Sequence, residues 1–199
     1  YYPILQPGDE GWTEISLPTN SFGQGLMTTP IQMIQAVSAI ANDGIMMKPH
    51  IVKAIYYNDH TEVIQPEVVG RPISAETAHT VTDMLETSLE VEASDALLDG
   101  VKIAGKTGTG EIAKEGYGYV LNVTNASFVG WGPTDDPQFI AYLWLQEPLI
   151  SIWGSEVSAP LFSDVMNEIM PYLHIPYDRQ RACLDSKTCP TEVPKNEYY

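Results

Sequence analysis

VKIAGKTGTGE, residues 101–111, carries Lys106, Thr107 and Thr109 among the glycines Gly105, Gly108 and Gly110. Two structures compete for it. From Gly100 to Thr107 it matches the phosphate-binding pattern G-x-x-x-x-G-K-[ST], and FIAYLWLQE (139–147) is similar to the apolar strand with an acidic end that would hold magnesium. That pattern needs a flexible loop between its glycines and a helix opening at the lysine. Val101-Lys102-Ile103-Ala104 has the composition of a strand, and Thr-Gly-Thr-Gly-Glu cannot start a stable helix. The segment before Gly100 is helical in pattern. The alternative sets Lys106, Thr107 and Gly108 on the strand itself. Glycine weakens a strand interior unless something approaches its backbone, so the three glycines suggest an edge to which a peptide adds as a strand. Thr107 and Thr109 then hydrogen-bond a carboxylate and Lys106 supplies positive charge. The plainer possibility is a Gly-rich turn with a solvated lysine.

Outward from this stretch, TNASFVGWG (124–132) and QFIAYLWLQ (138–146) read as two more strands, joined by the turn residues Thr134-Asp135-Asp136-Pro137. The last is apolar at nearly every position, which predicts cover on both faces. A helix is expected from Pro30 to about Asn42, capped by Thr29 and closed by Gly44. It is apolar almost all round, the pattern of a buried helix. HIVKAIYY (50–57) and TEVIQPEVV (61–69) suggest a strand pair turning at Asn58-Asp59. Ser74 caps a helix to about Val91, with Ala78, Val81, Leu85 and Leu89 on its inner face. A last helix is expected from near Pro160 to near Leu173. Strands grouped in sequence and joined by short turns predict an α+β fold, an antiparallel sheet with packed helices. Residues 1–29 read as irregular and 176–199 as a polar tail.

Composition removes several function classes. The chain has 199 residues, 44% hydrophobic and 18% charged, with a net charge of -16. So acidic a surface disfavours nucleic acid as a partner. No apolar run reaches the length of a membrane span. His50, His60, His79 and His174 are scattered, so no metal site or cofactor is expected. Cys183 and Cys189 close a small disulfide or stay as thiols. Asn122-Val-Thr124 and Asn125-Ala-Ser127 match glycosylation sequons but fall in a strand region.

The K-T-G of Lys106-Thr107-Gly108 resembles the third motif of penicillin-binding proteins and serine β-lactamases. NSFGQGLMTTPIQMIQAVSAIANDGIMMKPHIV (20–52) is similar to the loop and helix that precede the active-site sheet in class B penicillin-binding proteins. AGKTGTGE (104–111) resembles their motif strand. ASFVGWGPTDDPQF (126–139), Glu147-Pro148 and SAPLFSDV (158–165) resemble the remaining strands and last helix. The resemblance runs from about Asn20 to Ile175. It implies a partial transpeptidase fold of the penicillin-binding-protein type over residues 1–175.

The family transfers acyl groups between peptidoglycan stem peptides through a serine ester, and β-lactams acylate the same serine. The resemblance therefore implies stem peptides and β-lactam antibiotics as ligands. It also implies a cell-wall synthesis complex as partner, and a place on the extracytoplasmic face of the bacterial membrane with its anchor upstream. By motif, Lys106 serves electrostatics and proton positioning, and Thr107, Gly108 and Thr109 bind substrate. The Thr109 backbone N–H is the oxyanion donor. No serine here has a Lys three residues later or an Asn two later, so the S-x-x-K nucleophile and the S-x-N hydroxyl are absent. The chain is expected to be the C-terminal part of the domain, inactive alone, with the N-terminal half of the same domain as its missing partner. A non-catalytic wall-peptide-binding relative is the alternative. One departure stands out: the family commonly has Ala-Gln after K-T-G-T, and here Gly110-Glu111 follows. Alternation along a strand sets Glu111 on the side of Thr107 and Thr109, where it would repel an anionic ligand, unless it pairs with Lys114.

Overall fold

A computed structural model describes residues 4–114, 116 and 118–175. Cys183, Cys189 and the expected tail lie outside these residues. The element order is α1 (Ser16–Asn20), α2 (Pro30–Ala41), β1 (Met46–Met47), β2 (Ala54–Tyr56), β3 (Thr61–Val63), β4 (Val68–Gly70), α3 (Ala75–Glu92), β5 (Ala104–Lys114), β6 (Gly118–Gly132), β7 (Phe139–Gln146) and α4 (Gly154–Leu173). A single 3-10 turn, Ser94–Ala96, follows α3. The α+β class is as expected: three antiparallel strands in the order β5-β6-β7, with helices against them.

Local chemistry sets the helix starts. At α2, the Thr29 hydroxyl accepts from Gln32 N (3.3 Å) while Gln32 Oε1 accepts from Thr29 N (2.9 Å), a reciprocal capping box with Pro30 in the first turn. At α3, Ser74 Oγ accepts from Thr77 N at 3.1 Å. Ala78, Thr82 and Leu89 form its buried stripe.

The sheet is built by register. Lys106 pairs with Val129, Thr107 with Phe128, Gly108 with Ser127 and Thr109 with Ala126; Phe128 in turn pairs with Leu143. One face therefore carries Thr107, Phe128 and Leu143, and the other Lys106, Val129 and Tyr142. Phe128 and Phe162 of α4 meet at 4.7 Å between ring centroids. Around them Leu89, Leu98, Val101, Ile103, Met166 and Met170 close the core.

Several expectations need correction. First, α4 begins at Gly154, six residues before Pro160, which lies inside the helix. A helix start needs a partner for its first N–H groups, and a strand distant in sequence supplies one. Second, α2 is not buried within this chain: only Ala39 is buried, and Ile31 is 52% exposed. Its contacts with α3, β1, β6 and β7 leave most of its side chains only partly buried. Third, β7 is half-buried, with Trp144 47% exposed, so its faces are only partly covered. Fourth, the pair over 50–69 is shorter than its pattern. Ala54–Tyr56 meets Thr61–Val63, while Val68–Gly70 turns to pair with Met46–Met47. Pro66 breaks the run between these two strands, because proline has no N–H to give a ladder. β6 starts at Gly118, so the hairpin with β5 is longer than expected and carries Asn122 and Asn125.

Candidate active site

Lys106 is the third residue of β5, an edge strand of the sheet, and no helix opens there. That geometry is incompatible with a phosphate-binding loop. The Lys106 Nζ donates to Glu92 Oε2 at 3.1 Å and to Thr107 Oγ at 3.3 Å. Glu92 is the last residue of α3, which lies against β5. The two side chains are 52% and 57% exposed. The hydrogen bond from Lys106, then its charge, then a hydrogen bond from Ser88, hold the Glu92 carboxyl below its ordinary value; partial desolvation opposes them.

Thr109 sits two residues beyond Thr107 on the same side of the strand. Its Oγ accepts from Gly154 N at 3.2 Å. The N-cap residue of α4, Trp153, makes no side-chain cap, so a strand hydroxyl 45 residues away takes that part. The Thr109 O–H stays available as a donor to a ligand. Gly154 is needed for this docking. A Cβ there would lie 2.5 Å from Gly108 O and 2.5 Å from Ser127 O, both backbone atoms of the sheet. Gly108 is packed for a similar reason, since its own Cβ would fall 2.5 Å from Ser127 Oγ. Two further bonds fasten α4 and the loop before it to β6: Ser158 Oγ donates to Ala126 O at 3.0 Å, and Thr124 Oγ to Ile152 O at 2.9 Å.

Strand alternation puts Glu111 on the Thr107/Thr109 side, opposite Thr124, and its side chain is exposed. The alternative pairing of Glu111 with Lys114 is not made: Lys114 Nζ instead meets Glu147 Oε2 at 3.6 Å. The ladder irregularity between Glu111 and Ala113 changes the alternation before Lys114 is reached.

The structure thus brings Lys106, Thr107, Gly108 and Thr109 together on one strand edge. It adds Glu92, Ser127 and Gly154, which the sequence reading missed. Only Gly154 carried a usable signal, as a glycine between an aromatic residue and an expected helix. A hollow lined by Asp43, His79, Asp83, Lys102 and Trp131 includes none of the motif residues. Among the described residues no group of His, Cys, Asp or Glu could hold a metal ion.

Residues 4–167 match the penicillin binding protein transpeptidase domain, a match that starts earlier than the expected Asn20. The chain is 33% identical over 162 residues to the stage V sporulation protein D of Bacillus subtilis, covering 79% of this chain and 25% of that protein. It is 31% identical to the probable peptidoglycan D,D-transpeptidase PbpC of Pseudomonas aeruginosa, covering 88% of this chain and 30% of that one. Penicillin binding protein 3 of Mycobacterium tuberculosis, crystallised with aztreonam, superposes with a TM-score of 0.76 at 30% identity, over 87% of this chain and 41% of that one. The chain therefore spans between a quarter and a third of the curated relatives it matches. With a family match over most of its length and a shared fold, the chain belongs to the class B penicillin-binding protein transpeptidase domain family and covers part of that domain.

Proposed function

We propose that this chain is the C-terminal part of a peptidoglycan D,D-transpeptidase domain, with residues 1–175 forming the K-T-G wall of a serine acyl-transfer site. The observation that carries the reading is the Lys106–Thr109 edge of β5, held by the docking of Gly154 on Thr109. A substrate carboxylate meets the hydroxyls of Thr107 and Thr109 and the field of Lys106. The Thr109 N–H stabilises the oxyanion that forms when a serine attacks the penultimate D-Ala carbonyl. The serine and its lysine base come from the S-x-x-K of the remaining half of the domain. D-Ala leaves, and the amine of a neighbouring stem peptide resolves the ester. β-Lactams acylate the same serine.

The complete protein acts on the outer side of the bacterial membrane, within the machinery of wall growth, and its anchor lies upstream. Among the described residues no helix is long and apolar enough to cross a membrane.

The test uses a fluorescent penicillin and a denaturing gel, applied to the full-length parent and to the isolated chain. The parent should carry a stoichiometric, boiling-resistant label and the isolated chain none. An unlabelled parent would remove the transpeptidase reading, and a labelled isolated chain would place a nucleophile within these residues.

A further inference from the structure

We propose that Glu92 is the resident counter-ion of Lys106, its carboxylate holding the place beside Nζ that the carboxylate of an incoming ligand takes. Glu92 is then a positioning residue that also sets the affinity of the site for anions. The proposal rests on the transpeptidase reading above.

Three observations carry it. The first is geometric: Nζ is bonded at once to Glu92 Oε2 and Thr107 Oγ, 3.1 and 3.3 Å away. An ammonium has three donors, so the motif lysine is already oriented before any ligand arrives. The second is electrostatic. A helix C-terminus favours cations and disfavours carboxylates, yet α3 ends on Glu92 and has no basic residue in its last turn. Lys106, from a strand, supplies the missing positive charge, and its hydrogen bond and charge hold the Glu92 carboxyl below its ordinary value. The third is exposure. More than half of each side chain is open to solvent, and ion pairs of this kind are weak. Glu92 also lines a shallow surface hollow with Asp83, Met84, Thr87, Ser88 and Val91, so its side chain is not enclosed. A buried pair would lock the lysine; this one yields it.

The consequence is a competition. A ligand carboxylate approaching Thr107 must take Lys106 from Glu92. Removing the Glu92 charge leaves the ammonium unopposed and strengthens anion binding. A neutral ligand should not notice.

The experiment is stopped-flow acylation of the full-length parent, its Glu92→Gln and its Glu92→Asp variants, by benzylpenicillin and by its methyl ester. Glu92→Gln should raise the second-order rate for the acid by about two- to five-fold at low salt, the range expected of an exposed pair. The gain should lie in the saturation constant, not the limiting rate, and shrink at high salt. The ester should be unaffected, and Glu92→Asp should stay near the unmodified protein. Equal changes for acid and ester, or no change for the acid, would overturn the counter-ion role. Failure of the unmodified parent to acylate with either compound would instead remove the transpeptidase reading, and this inference with it.

Discussion

Thr109 Oγ accepts a hydrogen bond from the backbone N–H of Gly154, 3.2 Å away and 45 residues later in the chain. A single hydroxyl thus serves as the cap of α4 and faces the place where a ligand carboxylate is proposed to bind. Stability and recognition meet in one side chain.

Replacing Thr109 by Val should therefore cost both. Loss of a helix cap is worth about 1 kcal/mol, and the unfolding midpoint in urea should fall accordingly. In the full-length parent, acylation by anionic β-lactams should fall as well. Thr109→Ser should keep most of both, since the hydroxyl remains. If Val and Ser variants unfold at the same denaturant concentration, the cap contributes nothing.

Gly154→Ala should be more damaging than an exposed Gly-to-Ala change elsewhere. The new methyl would overlap backbone oxygens of Gly108 and Ser127, and backbone cannot rotate aside as a side chain can. Overpacking of this sort costs about 1–3 kcal/mol. It should also lift α4 off β5, so acylation by the parent should slow. Gly110, where an added Cβ meets nothing within 4 Å, is the control: Gly110→Ala should change the unfolding midpoint far less.

Glu111→Gln in the full-length parent should speed acylation by anionic β-lactams. One unit charge at several Å with partial screening is worth about five-fold in rate, more at low salt than at high salt. Unfolding should hardly change, because the side chain is exposed. Lys106→Ala should act in the opposite direction and by more. An unchanged low-salt rate for Glu111→Gln would mean that the carboxylate points away from the ligand.

The Lys106–Glu92 pair has a signed effect on stability. The folded-state pKa of Glu92 lies below its ordinary 4.5, so the folded state holds fewer protons there. Its stabilisation is fully present above the unfolded-state value and is lost as pH falls through the lower folded-state value. Chemical denaturation at pH 7 and at pH 3 should show a smaller loss on acidification in Glu92→Gln than in the unmodified chain. Both side chains are largely exposed, so the difference is small. A larger acid loss in the variant would contradict the sign.

The isolated chain should self-associate. Ile31 of α2, Met84 and Val91 of α3, and Trp144 of β7 are all exposed here, and the complete domain is proposed to cover them. Light scattering on the isolated chain and on the full-length parent should show association only in the former. A monodisperse isolated chain that binds no apolar dye would count against a missing half.

The elements were largely legible in the sequence because their causes are local. Thr29, Pro30 and Gln32 start α2 within four residues of one another, and Ser74 with Thr77 starts α3. Alternation assigned Lys106 and Thr107 to opposite faces of β5 before any partner strand was known. The K-T-G motif named the family by type and order of residues. What the tertiary structure decided depends on groups far apart in the chain. Pro160 looked like a helix start because proline suits a first turn; the actual start, Gly154, was chosen by Thr109 and by room against Gly108 and Ser127. Lys114 lies three residues from Glu111 and far from Glu147 in sequence, yet past the ladder irregularity it meets Glu147. Glu92 reached Lys106 only because α3 packs on β5. Sequence patterns encode which face and which element, since these follow from backbone periodicity. They do not encode which hydroxyl caps which helix, or which carboxylate answers which lysine, because those pairings exist only once separate elements have docked.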